Sequence, residues 1–253
     1  MRRRALLAGV AAGTTTALTG CLEIGNPFAE RAQERREYEF DPSSDAPVRV
    51  TTENGDVTVT TGDRTDVAVD ARVSAPSEDR LDDVTVASST VEGALAVNVD
   101  VSGDASGVRV DLDVEVPDGT AMAVVQTENG DVDVSDVAAV EAARSSNGDV
   151  TVRNAGPVES VATENGDVGA DVPAPLAGDV LVRSENGDVE AAVSPDVDAV
   201  VDAQTTNGTV DVDGLDLQDG SSGDTRVTGT LGDGTHEVTV VSTNGDVEVR
   251  ALA

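Results

Sequence analysis

The stretch Thr52-Glu53-Asn54-Gly55-Asp56-Val57 keeps coming back, and its recurrence constrains the fold more than any other feature of the chain. Further copies stand at Thr127–Val132, Ser145–Val150, Thr163–Val168, Ser184–Val189, Thr205–Val210 and Ser242–Val247. The corner asparagines are therefore Asn54, Asn129, Asn147, Asn165, Asn186, Asn207 and Asn244. From Asn129 the spacing runs 18, 18, 21, 21 and then 37 residues. A period near 20 suits a solenoid, in which each unit buries its apolar face only by stacking on its neighbours.

Around each copy apolar and polar residues alternate, as in strands with one buried face. Val48, Val50 and Thr52 precede the first Asn-Gly, and Val57 and Val59 follow it; the later copies repeat this. The expected fold is all-β: a β-solenoid of stacked rungs of about 18–21 residues, each rung two short strands joined at an Asn-Gly corner. Asn-Gly between alternating strands also marks type I′ hairpins, so a row of antiparallel hairpins is the competing arrangement. Stacking is favoured because an identical corner at a fixed period lets each Asn hydrogen-bond the Asn of the next rung. The Ser or Thr two residues before each Asn shares its parity with the inward valines. It should point inward and bond its own turn or the matching hydroxyl one rung away.

The chain divides into four regions. Residues 1–21 read as a lipoprotein signal peptide: basic Arg2–Arg4, a short apolar Ala5–Leu18, and a Leu18-Thr19-Gly20-Cys21 box. Adjacent arginines ahead of Ala5 also resemble a twin-arginine export signal. Cys21 is the expected lipidation site, and as the one cysteine it leaves no internal disulfide. Residues 22–47 read as a polar tether holding every aromatic residue, Phe28, Tyr38 and Phe40. Residues 48–120 read as a hairpin-rich β segment that covers the solenoid edge, and 121–253 as the repeats, with Ser222-Gly223-Asp224 standing in for one corner.

Charge narrows the partners. The chain has 49 acidic and 16 basic residues, the latter all arginine, and a net charge of −33. Removing the signal leaves 13 basic against 49 acidic residues, or −36. Such self-repulsion is screened only at high salt, where the Debye length at 1 M is about 3 Å. With the absence of lysine, this composition resembles the proteins of extremely halophilic archaea. Nucleic acid and anionic lipid are poor partners for the surface, so membrane attachment has to come through lipid on Cys21, at the outer face of the cytoplasmic membrane.

The run Val114–Gly119 leading to Thr127–Val132, the repeated Asn-Gly-Asp-Val units, and the tail Gly229–Gly234 ending at Asn244–Val247 resemble a family of candidate adhesins, also described as a domain of unknown function. The likeness covers roughly Val48 to Val249. It implies a β-solenoid on an exported or membrane-attached protein, and it brings no catalytic residues.

Chemistry is sparse. His236 is the single histidine, read as a solvated turn residue, and no second soft ligand accompanies it for zinc. Arg144, Arg153 and Arg183 are scattered, and the body carries no aromatic residue for stacking on sugar rings. No catalytic residue, enzyme activity or cofactor is expected. The one recurring constellation is the column Asp56, Asp131, Asp149, Asp167, Asp188 and Asp246, with Glu53, Glu128, Glu164 and Glu185 before the asparagines. Carboxylates on rungs about 4.8 Å apart repel by about 0.9 kcal/mol in water. The column therefore either relies on salt or takes up cations, monovalent or calcium. The expected role is a non-enzymatic, lipid-anchored surface protein that meets a cell-surface protein or polymer through an acidic solenoid. Binding or processing of a surface polysaccharide is the alternative, to be recognised by a groove that gathers Arg and several carboxylates; a cation-binding surface protein is a further one.

Overall fold

The computed structural model describes residues 31–42 and 46–252. Cys21, the signal region and residues 22–30 and 43–45 of the proposed tether lie outside these residues.

Alternation of buried and exposed positions turns most of the described chain into strands. The first part holds β1 (Ala32–Phe40), β2 (Val48–Thr51), β3 (Val57–Gly62), β4 (Val67–Ala75), the one-turn helix α1 (Glu78–Leu81), β5 (Val84–Val91), β6 (Ala94–Val101) and β7 (Arg109–Pro117). The repeats follow as β8 (Ala121–Asn129) and β9 (Val132–Ser135), β10 (Ala139–Asn147) and β11 (Val150–Arg153), β12 (Val158–Asn165) and β13 (Val168–Val172), β14 (Val180–Asn186) and β15 (Val189–Val193). The last part holds β16 (Ala199–Asn207), β17 (Val210–Asp213), β18 (Gln218–Gly223), β19 (Arg226–Leu231), β20 (His236–Asn244) and β21 (Val247–Ala251).

These strands form two sheets, one of 10 strands and one of 11, with each Asn-Gly corner passing the chain from the larger sheet to the smaller. Within the repeats the strands pair in parallel and in register: Asn129, Asn147 and Asn165 lie opposite one another, as do Val132, Val150 and Val168. Parallel neighbours exclude the row of hairpins. So does the backbone, because a type I′ turn needs positive φ at its Asn, and no corner Asn is among the positive-φ residues. The core between the sheets is mostly valine, with Val50, Val57, Val125, Val161, Val182 and Val240 fully buried. Val137, Ala155 and Val197 fill the opposite edge, where each rung returns to the larger sheet.

Three boundaries differ from the sequence reading. First, the stack begins at Val48, not residue 121, because β2 and β3 pair in parallel with β8 and β9 and form a rung with the same corner. The β6–β7 pair stacks outside it, parallel to β2 and β3, as a rung with no Asn-Gly corner. The hairpin-rich portion is thus confined to β1, β4 and β5, which run antiparallel to their neighbours at that end. Second, the polar tether contains a strand. In β1 the residues from Gln33 to Glu39 alternate between exposed and half-buried, while Phe40 is buried against the core and stacks on Tyr38. Arg36 turns inward from β1 and donates to the carbonyls of Leu81 and Val84, tying α1 and β5 to the edge. Third, Ser222-Gly223-Asp224 leads into the turn of an antiparallel hairpin, β18–β19, that runs along β16 and covers the far end. Its Asp224 carbonyl still accepts the Val210 N–H, as an aspartate of a further rung would.

The rungs do not stack in chain order. The sheets place β6/β7 outside β2/β3, and β20/β21 between β14/β15 and β16/β17. The first two rungs are exchanged, and so are the last two.

Candidate functional site

The corner is the place where the chain repeats itself most closely, and three side-chain ladders run along it. Asn129 donates from Nδ2 to Asn54 Oδ1 at 2.9 Å, Asn147 to Asn129 at 3.0 Å, and Asn165 to Asn147 at 3.0 Å. Asn186 donates to Asn165 at 3.1 Å, Asn244 to Asn186 at 2.9 Å, and Asn207 to Asn244 at 2.9 Å. All seven asparagines join one ladder, and its order follows the exchanged stacking.

The second ladder is hydroxyl. Thr52, Thr127, Ser145, Thr163, Ser184, Thr205 and Ser242 are all buried. Six of them donate to a carbonyl, but neither to their own turn nor to one another. Thr127 bonds the Gly55 carbonyl, Ser145 that of Gly130, Thr163 that of Gly148 and Ser184 that of Gly166. Ser242 and Thr205 bond Gly187 and Gly245 in the same way. The partner is the corner glycine one rung away, because stacking brings that carbonyl closer than anything in the same turn.

The glycines follow from the same closeness. A Cβ on Gly148 would sit 2.0 Å from the Gly130 carbonyl oxygen, and one on Gly166 would sit 2.3 Å from that of Gly148. No side chain fits such a gap.

The third ladder holds the carboxylates that the sequence singled out. The backbone N–H of Asp131 donates to Asp56 Oδ1 at 2.9 Å, and that of Asp149 to Asp131 Oδ1 at 2.8 Å. Asp167, Asp188 and Asp246 continue the series at 2.7–2.8 Å, and Thr209 closes it on Asp246. At the other end Asp56 bonds Asp111 Oδ1 at 3.0 Å. One oxygen of each column member is thereby engaged by the next rung. A charge-assisted bond of this kind is worth about 1.5–3 kcal/mol, which offsets the repulsion between neighbouring carboxylates. Among the described residues, no group of three or more His, Cys, Asp or Glu side chains is arranged to hold a metal ion.

Outside the corner, the outer face of the smaller sheet has two contrasting halves. Over β1, β4, β7 and β3, Arg64 bonds Glu115 at 2.8 Å and lies 3.2 Å from Asp66, while Arg35 pairs with Asp70 and Arg72 with Asp113. Arg64, Asp70, Asp113 and Glu115 line a groove of about 390 Å³ that the scattered arginines do not reveal in sequence. Arg109 bridges Asp56 and Asp111. Burial disfavours its charge, but these bonds outweigh burial and raise its pKa. Over β11 to β17 a wider groove of about 520 Å³ is lined by Asp149, Asp167, Asp188, Glu190, Asp211 and Glu248 beside Arg153 and Gly169, and Glu190 pairs with Arg250 at 2.7 Å. His236 opens β20, with Nδ1 4.0 Å from Asp179. Arg144 and Arg183 lie along a third groove on the larger sheet, where Arg183 bonds Glu185.

Two sheets of stacked strands tied along one edge by side-chain ladders define an all-β protein of the toastrack kind. The sequence matches the toastrack DUF4097 family over residues 68–250, well over half of the chain, and the chain belongs to that family. No curated protein matches it. Among solved structures, a candidate cell adhesion protein from Clostridium sporogenes is 10% identical, with 88% of this chain and 100% of that one covered at a TM-score of 0.48. A candidate adhesin from Bacteroides fragilis is 12% identical, with 88% and 99% covered at 0.40. A candidate lipid-binding protein from Parabacteroides distasonis is 10% identical, with 87% and 97% covered at 0.29. Each is a distant likeness.

Proposed function

We infer that the chain is a non-enzymatic surface protein, lipid-anchored through Cys21 at the outer face of the cytoplasmic membrane. It displays an acidic β-solenoid as an adhesive or structural interaction module in a high-salt organism. The observation that carries this reading is where the most repeated side chains go. Asn, Asp and Ser/Thr at the corner bond rung to rung, which builds a rigid scaffold and leaves two broad faces for contact. No helix among the described residues is long and apolar enough to cross a membrane, so attachment in this reading depends on the lipid. Cys21→Ser should release the protein to the medium or leave its precursor unprocessed; unchanged processing and membrane retention would overturn the anchor. Crosslinking and pull-down from intact cells at molar salt should return a surface protein or polymer.

One feature favours a second reading, binding of a cell-surface polysaccharide. The groove beside Arg64 gathers an arginine and several carboxylates within reach of one another. Arg64→Ala together with Glu115→Gln should abolish retention on the organism's own surface polymer if that groove binds it, and leave retention unchanged if the groove only braces the strands. Specific cation binding at the Asp column is a further option. Micromolar calcium replacing molar monovalent salt in a stability assay would support it.

A further inference from the structure

The corner of the β16/β17 rung differs from the six others. It reads Asn207-Gly208-Thr209 where they read Asn-Gly-Asp. It is consequently the one place in the chain where an Asn is followed two residues later by Ser or Thr, with no proline between. That arrangement is the acceptor signal for N-glycosylation of exported proteins.

The structure makes the same corner the least covered one. Thr206, Asn207, Gly208 and Thr209 are all exposed, and Gly208 is the one exposed glycine among the seven corners. Elsewhere each corner glycine donates its N–H to the Asn carbonyl of the following rung, as Gly148 does to Asn165 and Gly245 to Asn207. Among the described residues nothing accepts from the Gly208 N–H and nothing donates to Asn207 Oδ1. Asn207 is therefore held from one side, while Asn129, Asn147, Asn165, Asn186 and Asn244 are bonded on both.

Stacking also explains why Thr can stand there. A terminal rung has no neighbour whose N–H an aspartate would need to accept, and Thr209 instead donates from Oγ1 to Asp246 at 3.0 Å. The second hydrogen of the Asn207 amide is held only by a long bond. Of its two donors, one serves Asn244 Oδ1 at 2.9 Å and the other meets only the Thr243 carbonyl, at 3.4 Å.

We propose that Asn207 carries an N-linked glycan at the last Asn-Gly corner of the stack. The proposal rests on export, which belongs to the function inferred above. In the transfer, Asn207 Nδ2 attacks the anomeric carbon of a glycan linked to a polyisoprenyl phosphate or diphosphate. The carbon–nitrogen bond forms, the bond from carbon to phosphate oxygen breaks, the phosphate leaves with the lipid, and the amide proton passes to a base of the transferase. The glycan replaces the hydrogen facing Thr243 and leaves the ladder bond to Asn244 in place. It also caps the exposed corner with polar bulk, which blocks addition of a further rung from another chain.

The test is peptide mass spectrometry of the full chain, expressed with its leader in a halophilic host that glycosylates exported proteins, with cell fractions separated first. The expected result is a glycan mass on the peptide containing Asn207 in the exported protein, kept in Thr209→Ser and absent in Asn207→Gln and Thr209→Asp. Thr209→Asp restores the residue of the six other corners, so an unchanged denaturation midpoint shows that folding is intact. Exported protein with an unmodified Asn207 peptide, or a glycan that persists in Thr209→Asp, overturns the proposal alone. Protein retained inside the cell and unmodified overturns both the proposal and the export on which it rests.

Discussion

The repeats and the end built from β1, β4, β5 and α1 solve one problem in opposite ways. Between β8 and β15 every rung is held by copies of itself, and the ladders of Asn, Asp and hydroxyl are the same bond made again at each step. At the β1 end the strands run antiparallel, and individual contacts hold them: Arg36 on two carbonyls, Arg35 on Asp70, Arg72 on Asp113. Repetition gives strength without tolerance, since every copy has to approach its neighbours equally closely. The capping end gives tolerance, since each contact is its own solution. Charge divides along the same line, with acids paired to arginine over the capping strands and, apart from Glu190 on Arg250, largely unpaired over β11 to β17.

Salt should separate the two regions most. At about 0.1 M the Debye length of about 10 Å leaves the unpaired acids repelling one another, and at 1 M it falls to about 3 Å. The denaturation midpoint should climb steeply over that range. Amides of β11 and β13 should lose exchange protection at low salt before those of β4 and β7, whose acids keep their arginines. A flat midpoint, or simultaneous loss everywhere, would erase the contrast.

Glycine substitution comes next. Gly166→Ala forces a Cβ to 2.3 Å from a backbone oxygen and should cost about 4 kcal/mol or more, in the range reserved for severe core damage. Gly119→Ala, in the turn after β7, has open space around it and φ near 82°. It should cost only the left-handed backbone penalty of about 1–2 kcal/mol. Equal losses in chemical denaturation would show that the close approach of the rungs is not what demands glycine.

Smaller effects sharpen the picture inside the stack. Thr163→Val keeps the shape but leaves the part-buried Gly148 carbonyl without its hydroxyl donor, at about 1–3 kcal/mol. Asn165→Ala removes two ladder bonds and Asn207→Ala one. At about 0.5–1.5 kcal/mol per bond, the first should destabilise about twice as much as the second. Last, in protein made without glycosylation, Asn207 should deamidate faster than the six other corner asparagines. The free Gly208 nitrogen is available to attack its side-chain carbonyl, while the other corner glycine N–H groups are bonded. Peptide mapping after mild alkaline incubation reads this directly, and equal rates at all seven sites would contradict it.

Much of the stack was legible in the chain because each of its rules is local and repeated. Alternating valines gave the buried faces, the Asn-Gly period gave the corners, and parity alone sent Thr127 and Ser184 inward. What stayed hidden was whatever depends on a neighbour. Nothing in the local pattern says that a hydroxyl will find the glycine carbonyl of another rung, or that Asp131 will accept a backbone N–H and not only repel its neighbour. The β6/β7 rung is not announced by the repeat because it lacks the corner, although Leu112 and Val114 lie in register with Val57 and Val59. β1 is hidden in the sequence because its alternation is carried by charged residues, with Arg36 and Glu34 where apolar side chains would announce a strand. The groove at Arg64 joins β1, β3, β4 and β7, and no linear spacing announces it.

The exchanged order of the outer rungs bears on how the protein is made. A repeat array in chain order can grow behind the ribosome, each new unit docking on the one before. Here β16/β17 has no parallel neighbour to dock on until β20/β21 exists, and those strands are the last structured residues of the described chain. The first rung likewise waits for β6 to β9. The middle rungs, β8 to β15, are the one portion whose neighbours arrive in sequence. Assembly therefore has to start at the centre and close outward at both ends, and the far end can close only after synthesis has passed β21. A chain released before that point would leave β16 and β17 with an uncovered edge.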